Sequence, residues 1–310
     1  MRFARLTLND LTPWATLLAA AFDRELAQMV QLLQFLGDEE QLAWGAWDGP
    51  TLAAQYSCLL REIFLPSQQR CVPVGLSINM AVHPNYRGRG LVKTVSAPVY
   101  DVLTDLGAIA GVGFSNAAGV KVDKHSSGYG YSVVGKLRPY LFWLRPHQPA
   151  HDFYLSTEWP NLPFLPTDHE TAVHFAWTPT SLHHRFACHP FRTYRFGVWQ
   201  KDGAIAGIVI YRSIQLAGLP GAALLSAYGR DLSNLLSRWT AALADHGVRF
   251  VHLAGTPTAR TARLMRETAV CLPQFYSHNP YYLTLKPLTN QLPQAAFHLE
   301  NWSCLGGDVL

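Results

Sequence analysis

One stretch of the sequence, residues 79–119, most restricts how this chain folds. An apolar strand ends at Val82, the turn at residues 87–90 reads Arg-Gly-Arg-Gly, and the residues after it have one apolar face at helical spacing. Gly107 is suited to end that helix, and residues 109–115 form a short apolar strand. The order predicts a strand, a glycine-rich turn, a helix and a second strand.

The turn at residues 87–90 has the chemistry of an anion-binding site. Glycine lets the backbone approach an anion closely, and the first amides of a helix have no partner within the helix. Arg87, Arg89 and Lys93 add positive charge around the turn. The sequence lacks both the GxxxxGK[ST] phosphate loop and the third glycine of a dinucleotide motif. The pattern therefore predicts a phosphate or pyrophosphate ligand.

The segment VHPNYRGRGLV resembles motif A of the GNAT superfamily, (Q/R)-x-x-G-x-(G/A), which cradles the pyrophosphate of coenzyme A. Arg87 and Gly90 match its first two fixed positions, whereas Val92 stands where the family has glycine or alanine. Asn116 and Gly128-Tyr129 resemble the next block of the family, and the resemblance spans roughly residues 2–137. It implies an acyl-CoA site formed by Met80, Ala81, Val82, Arg87, Gly88, Arg89, Gly90, Leu91, Val92, Lys93 and Asn116.

The resemblance also implies a mechanism. The strand ending at Val82 is expected to diverge from the strand beginning with Ile109, with the pantetheine arm in the gap. A backbone amide near Met80 would polarise the thioester carbonyl. The tyrosine that commonly protonates the leaving thiolate has no counterpart in this sequence. His125, a histidine and so of a residue type suited to act as acid or base, and Asp123 are therefore the catalytic candidates.

Other polar side chains near the motif are weaker candidates. Ser77 and Asn79 alternate along the motif strand and are suited to hold a water molecule. Glu62 is a candidate to face the acceptor. Tyr129 and Tyr131 follow the motif, but they are equally suited to packing in a strand.

The second half repeats the order of elements in the first. A helix capped by Asp231 ends at Gly247 and is followed by an apolar strand, but the phosphate turn has no counterpart. Five prolines between residues 146 and 166 indicate a linker between domains 1–145 and 167–310. We expect an α/β (α+β) fold of two GNAT-like domains, each a mixed, mostly antiparallel sheet flanked by helices. The second domain is expected to be degenerate.

Composition excludes several classes of protein. The chain has 25 basic and 21 acidic residues, a formal charge of +4, which does not favour nucleic acid as a partner. Its five cysteines form no CxxC pair, so we expect no metal site. We find no apolar run of ~18 residues and no secretory signal, so we expect no membrane partner and a cytoplasmic protein. The sequence leaves monomer and homodimer open.

These observations favour an N-acyltransferase. The expected reaction moves an acyl group from acetyl-CoA, or another acyl-CoA, to a primary amine of a small molecule by direct attack on the thioester. Two alternatives stay open: a Fem-like aminoacyl transferase, and a non-catalytic acyl-CoA sensor or scaffold.

Overall fold

A computed structural model describes residues 1–123, 130–145, 150–165, 171–256, 259–272 and 280–309. The chain forms two compact units, and each is assembled from two separate stretches of sequence. Unit 1 comprises Met1–Gly135 and Tyr281–Phe297. Unit 2 comprises Lys136–Pro280 and His298–Leu310. The units therefore differ from the contiguous domains 1–145 and 167–310 expected from the sequence.

Helices and strands are numbered separately in the order in which they occur along the chain. The α-helices are α1 (Leu11–Phe22), α2 (Leu26–Glu40), α3 (Leu91–Asp105), α4 (Ala117–Asp123), α5 (Pro179–Leu182), α6 (Leu232–Asp245) and α7 (Arg260–Thr268). The strands are β1 (Arg2–Arg5), β2 (Gln41–Asp48), β3 (Thr51–Leu65), β4 (Arg70–Val82), β5 (Ala110–Ser115), β6 (Ser132–Lys136), β7 (Arg138–Trp143), β8 (Phe153–Ser156), β9 (His174–Phe175), β10 (Arg195–Lys201), β11 (Ala204–Leu216), β12 (Leu219–Gly229), β13 (Phe250–Gly255), β14 (Val270–Leu272) and β15 (Tyr282–Pro287).

Unit 1 is built on a sheet in the order β1-β2-β3-β4-β5-β15-β6. Neighbours from β1 to β4 are antiparallel, as are β5 and β15, whereas β4 and β5 are parallel. Successive side chains of a strand point to opposite faces. Leu42 of β2 accordingly packs in the core with α3, and Ala43 packs in the core with α1 and α2. Helices therefore cover both faces of this sheet.

Unit 2 is built on a sheet in the order β8-β10-β11-β12-β13-β7-β14, with β12 and β13 parallel. Its core contains the inward face of α6, including Leu235, Leu236 and Trp239, which are fully buried. Taken strand by strand, this order matches that of unit 1. The predicted repetition of elements and the predicted fold class are both confirmed.

The sixth strand of each sheet comes from the other half of the sequence. β15 follows the helices of unit 2 along the chain but pairs with β5 of unit 1. β7 follows β6 of unit 1 but pairs with β13 and β14 of unit 2. Assigning each half of the sequence to its own domain misses this exchange, because a strand pattern predicts a strand without specifying which strand it pairs with. The predicted linker 146–166 also contains β8, which pairs with β10.

Candidate functional site

A gap opens between β4 and β5 in unit 1. The two strands are paired from Val74 with Ala110 to Ser77 with Gly113, and both continue beyond the last pair. A cavity of about 860 Å³ lies where they separate. This is the divergence that the resemblance to the GNAT superfamily implied. Among the described residues, the end of β4 has no neighbouring strand on that side.

A β-bulge in β4 accompanies the gap. Tyr56 of β3 faces Met80, but two residues later Cys58 faces Ser77, so β4 has one extra residue. The Asn79 carbonyl accepts hydrogen bonds from Gln55 Nε2 at 3.1 Å and Ser57 Oγ at 3.3 Å. Side chains of β3 therefore stabilise the bulge, on the side of β4 that faces away from the gap.

The turn after β4 is braced by aromatic and charged groups. Pro84–Tyr86 forms one turn of 3-10 helix, and Tyr86 Oη donates to Asp48 Oδ2 at 2.9 Å. The Arg89 guanidinium lies 4.8 Å from the centre of the Tyr86 ring and donates to the Asn85 carbonyl at 3.2 Å. These contacts position the glycine-rich turn that follows.

The glycine-rich turn adopts a backbone conformation that favours glycine. Gly88 has φ +78° and Gly90 has φ +71°, a region that costs other residues about 1–2 kcal/mol. Gly90 is the N-cap of α3 and has no side chain that could accept from the first amides of the helix. Those amides and the positive end of the helix dipole are suited to a bound anion.

The structure brings most of the predicted binding residues together around the cavity. Those that line it are Met80, Ala81, Val82, Arg87, Gly88, Arg89, Gly90, Leu91, Val92 and Asn116. Lys93 is exposed on α3 outside this lining, but its charge acts on Lys286. Burial first, and then the charge of Lys93, lower the pKa of Lys286. Lys286 Nζ itself lies 4.8 Å from the centre of the Tyr100 ring, in the middle of α3.

Two predicted binding residues have a structural role as well. Val92, the departure from the family pattern, is partly buried against the core beneath α3, so its side chain is accommodated by packing. Asn116 Oδ1 accepts from the Gly119 amide at 2.9 Å and so caps the start of α4. Both residues still line the cavity.

The catalytic candidates stay predictions. Asp123 is the last residue of α4, and its side chain is outside the described part of the structure, as is the whole of His125. Ser77 lines the cavity, as a water-holding residue should. Glu62 is exposed and pairs with Pro73, four strand positions from the last pair before the gap, so it does not face the cavity.

A buried group of tyrosines lies beneath the gap, and sequence reasoning missed it. Tyr56 Oη accepts from Tyr100 Oη at 3.0 Å and from Cys58 Sγ at 3.3 Å, and lies 3.1 Å from Tyr131 Oη. Burial raises the pKa of Tyr56 and of Tyr100 well above the ordinary value, which keeps both phenols neutral. Tyr131 fits in this group because Gly111 has no side chain; a Cβ at Gly111 would overlap the Tyr131 hydroxyl.

Thr284 of β15 also reaches this region. A Cβ built at Gly113 would lie 2.8 Å from Thr284 Oγ1 and 3.6 Å from Ser77 Cβ, so these two hydroxyl residues flank Gly113, which lines the cavity. The sequence gives no signal for Thr284, because its strand comes from the other half of the chain.

Comparison with known proteins identifies the class of fold. Residues 2–117 match the family model described as an acetyltransferase (GNAT) domain. A search of the curated proteins found no match. By sequence, residues 2–117 are therefore similar to a GNAT domain, and the glycine-rich turn and the gap between β4 and β5 lie within these matched residues.

Solved structures extend the likeness to the whole chain. A GCN5-related N-acetyltransferase from Anabaena variabilis ATCC 29413 is 11% identical, with a TM-score of 0.69 over 93% of this chain and 73% of its own. A probable N-acyltransferase from Enterococcus faecalis V583 is 13% identical, with a TM-score of 0.66 over 94% of this chain and 73% of its own. A tandem GNAT protein from the clavulanic acid biosynthesis pathway is 12% identical, with a TM-score of 0.53 over 94% and 99%. The chain shares their fold.

The described residues contain neither a candidate membrane span nor a candidate metal site. No helix among them is both long enough and apolar enough to cross a membrane. Within the same ranges, no three histidine, cysteine or acidic side chains converge where a metal ion would bind.

Proposed function

We propose that this chain is an N-acyltransferase that binds acetyl-CoA, or another acyl-CoA, in unit 1 and acylates a primary amine of a small molecule. The observation that carries the proposal is the cavity between β4 and β5, bordered by the glycine-rich turn and the start of α3. Its volume of about 860 Å³ is within the range of small-molecule sites. The GNAT family model over residues 2–117 supports the same function.

The cavity offers different groups to the two ends of such a ligand. The glycine-rich turn and the first residues of α3 would hold the pyrophosphate through backbone amides, with Arg87 and Lys93 supplying charge. The end of β4, from Met80 to Val82, would pair with the amide groups of the pantetheine arm as a missing strand would. The oxyanion that forms at the thioester would accept from an amide near Met80.

The reaction is a direct transfer. The amine nitrogen bonds to the carbonyl carbon of the thioester, the carbon–sulfur bond breaks, the amine loses a proton and the thiolate gains one. Asp123 and His125 are the proposed groups for these proton movements. Ser77, which lines the cavity, is suited to hold the water that would connect them to the amine.

The first test is binding. Arg87→Glu replaces an attraction for phosphate with a repulsion, and we expect acyl-CoA affinity to fall about 10- to 100-fold. Arg70→Glu is the matched control, because Arg70 is also exposed but lies at the start of β4, away from the cavity. Calorimetric titration with acetyl-CoA measures both. Equal affinities in the two variants would place the ligand elsewhere.

The second test is catalysis. Thiol release from acetyl-CoA across a panel of amines should be detected for the native chain, with a lower kcat for His125→Asn and Asp123→Asn and little change in acyl-CoA affinity. Binding without thiol release for any amine would favour the sensor or scaffold. Absence of acetyl-CoA binding, with transfer from aminoacyl-tRNA, would favour the Fem-like alternative.

A further inference from the structure

Unit 2 has the same divergence between parallel strands as unit 1. β12 and β13 are paired only from Gly221 with Phe250 to Leu224 with Leu253, and both strands continue beyond that pair. β12 also has an extra residue at Leu225, since Ile210 faces Ser226 and the next residue, Tyr211, faces Leu224. The bulge and the end of pairing coincide as they do in β4. The strands of unit 2 therefore form a cleft of the same construction.

This second cleft is filled by the chain itself. We call residues 303–308 the plug segment. On the β13 side, Leu305 forms an antiparallel bridge with Gly255, and the Thr256 amide donates to the Cys304 carbonyl at 3.0 Å. On the β12 side, the Gly307 amide donates to the Leu225 carbonyl at 2.8 Å. The plug segment thus hydrogen-bonds to both strands where they separate.

The positions that the plug segment contacts correspond to lining residues of the unit 1 cavity. Counted from the last paired residues, Leu225 matches Ile78, and Gly255 matches Ser115. Ile78 and Ser115 both line the open cavity in unit 1. The same strand positions are therefore exposed to a cavity in one unit and covered by polypeptide in the other.

Polar contacts hold the plug segment in place. Asp308 is buried, and its carboxylate accepts from the Trp177 indole N–H at 2.7 Å and the Leu305 amide at 2.8 Å. Thr256 Oγ1 donates to the Trp302 carbonyl at 2.6 Å and accepts from the Cys304 amide at 3.2 Å. A buried carboxylate with such partners requires a single conformation of the segment.

We propose that the plug segment is a built-in occupant of the unit 2 cleft, which takes there the place that acyl-CoA takes in unit 1. Its backbone supplies the hydrogen bonds that a pantetheine arm would make, so unit 2 binds no coenzyme and is stabilised by its own chain. Unit 2 also lacks the Arg-Gly-Arg-Gly turn, so it has little to hold phosphates. The part about coenzyme rests on the proposed function, whereas the part about the plug segment does not.

Two neighbouring glycines give a matched test. A Cβ at Gly307 would lie 2.5 Å from Ser226 Oγ and 2.6 Å from the Leu225 carbonyl oxygen, whereas a Cβ at Gly306 finds its nearest atom at 3.7 Å. Neither glycine has a positive φ. Gly307→Ala should therefore displace the plug segment, and Gly306→Ala should not.

Hydrogen exchange read by mass spectrometry or NMR measures the displacement in the full chain. In Gly307→Ala we expect the amides of Thr256, Leu305 and Gly307 to exchange about tenfold faster or more, while those in β4 are unchanged. Gly306→Ala should exchange as the native chain does. Native protection in Gly307→Ala, or equal acceleration in both variants, would overturn the role of the plug segment whether or not the chain binds acyl-CoA.

Calorimetry tests the part that concerns the coenzyme. The native chain should bind one equivalent of acetyl-CoA, Arg87→Glu should weaken that one event, and Gly307→Ala should leave its affinity unchanged. A second equivalent bound by the native chain would show that the unit 2 cleft is open to the coenzyme. If the native chain binds no acetyl-CoA, the proposed function is refuted. The hydrogen-exchange test of the plug segment would be unaffected by that result.

Discussion

At the scale of single residues, glycines determine which side chains reach the sheet of unit 1. A Cβ at Gly75 would overlap Leu103 of α3, and one at Gly111 would overlap the Tyr131 hydroxyl. Both positions face large groups that press directly on the backbone, so even alanine would displace them. Gly111 thereby leaves room for Tyr131 in the tyrosine cluster, whose neutral hydroxyls satisfy one another in the core.

His189 gives the stability a pH dependence at this scale. Its ring meets Phe191 edge-on at 4.7 Å, and burial, followed by the charges of Arg192 and Arg185, lowers its pKa to about 4. In the unfolded state His189 has the ordinary histidine pKa of about 6.5. Between pH 6.5 and pH 4, His189 is therefore largely protonated in the unfolded state but largely neutral in the folded state. The stability that this difference provides is present above that value and is lost as the pH falls toward 4.

We expect His189→Gln to remove this dependence. The difference in urea midpoint between the native chain and the variant should be larger at pH 7 than near pH 4.5. As the pH falls, the native chain should lose stability relative to the variant. His151→Gln, at an exposed histidine, controls for loss of an imidazole. A constant gap for His189→Gln across this range would contradict the assignment.

At the scale of elements, the bulge in β4 positions the candidate site. Beyond Leu76 the strand turns from fully buried to partly exposed over Ser77 to Met80, which is where the cavity begins. Buried groups of β3 hold the extra residue through the Asn79 carbonyl. A regular strand in this position would continue to pair with β5 and would close the gap.

A matched pair of buried glutamines tests this role of β3. Gln55→Leu removes the donor at 3.1 Å from the Asn79 carbonyl, and we expect a loss of about 1 kcal/mol in stability together with weaker acyl-CoA binding. Gln41 is similarly buried at the start of β2, and within the described part of the chain its Nε2 has no hydrogen-bond partner. Gln41→Leu should therefore be neutral or stabilising and leave affinity unchanged. Urea denaturation and calorimetry compare them, and identical effects would show that the bulge does not depend on Gln55.

At the scale of the whole molecule, the exchange of β7 and β15 makes each unit depend on both halves of the sequence. β15 fills the position between β5 and β6, and Leu283 and Leu285 are fully buried in it. It also places Lys286 Nζ 4.8 Å from the centre of the Tyr100 ring. Without β15, the edge of β5 and part of the core of unit 1 would be exposed.

We therefore expect residues 1–137 alone to aggregate or to unfold without a cooperative transition. Residues 1–135 joined through a long glycine–serine linker to residues 281–297 should unfold cooperatively, because that chain restores β15 between β5 and β6 and retains β1 to β5. Thermal unfolding followed by circular dichroism distinguishes the two. A cooperative transition in residues 1–137 would show that β15 is dispensable.

The sequence by itself determined the local features of this protein. Turn chemistry and apolar spacing at residues 79–119 predicted β4, the glycine-rich turn, α3 and β5, and the order of elements predicted two similar sheets. These features depend on neighbours along the chain, where periodicity and backbone preferences act directly. The resemblance to the GNAT motif proposed the acyl-CoA residues, and all of these except Lys93 line one cavity.

The tertiary structure decided which distant segments pair. It assigned β7 and β15 to opposite units, brought Thr284 beside Gly113 and placed the plug segment in the cleft of unit 2. An apolar strand or a Leu-Gly-Gly-Asp segment has the same local pattern whichever partner it meets. Which partner a strand or segment pairs with depends on side-chain packing and on the backbone hydrogen bonds that another pairing would leave unmade. Both are properties of the assembled fold.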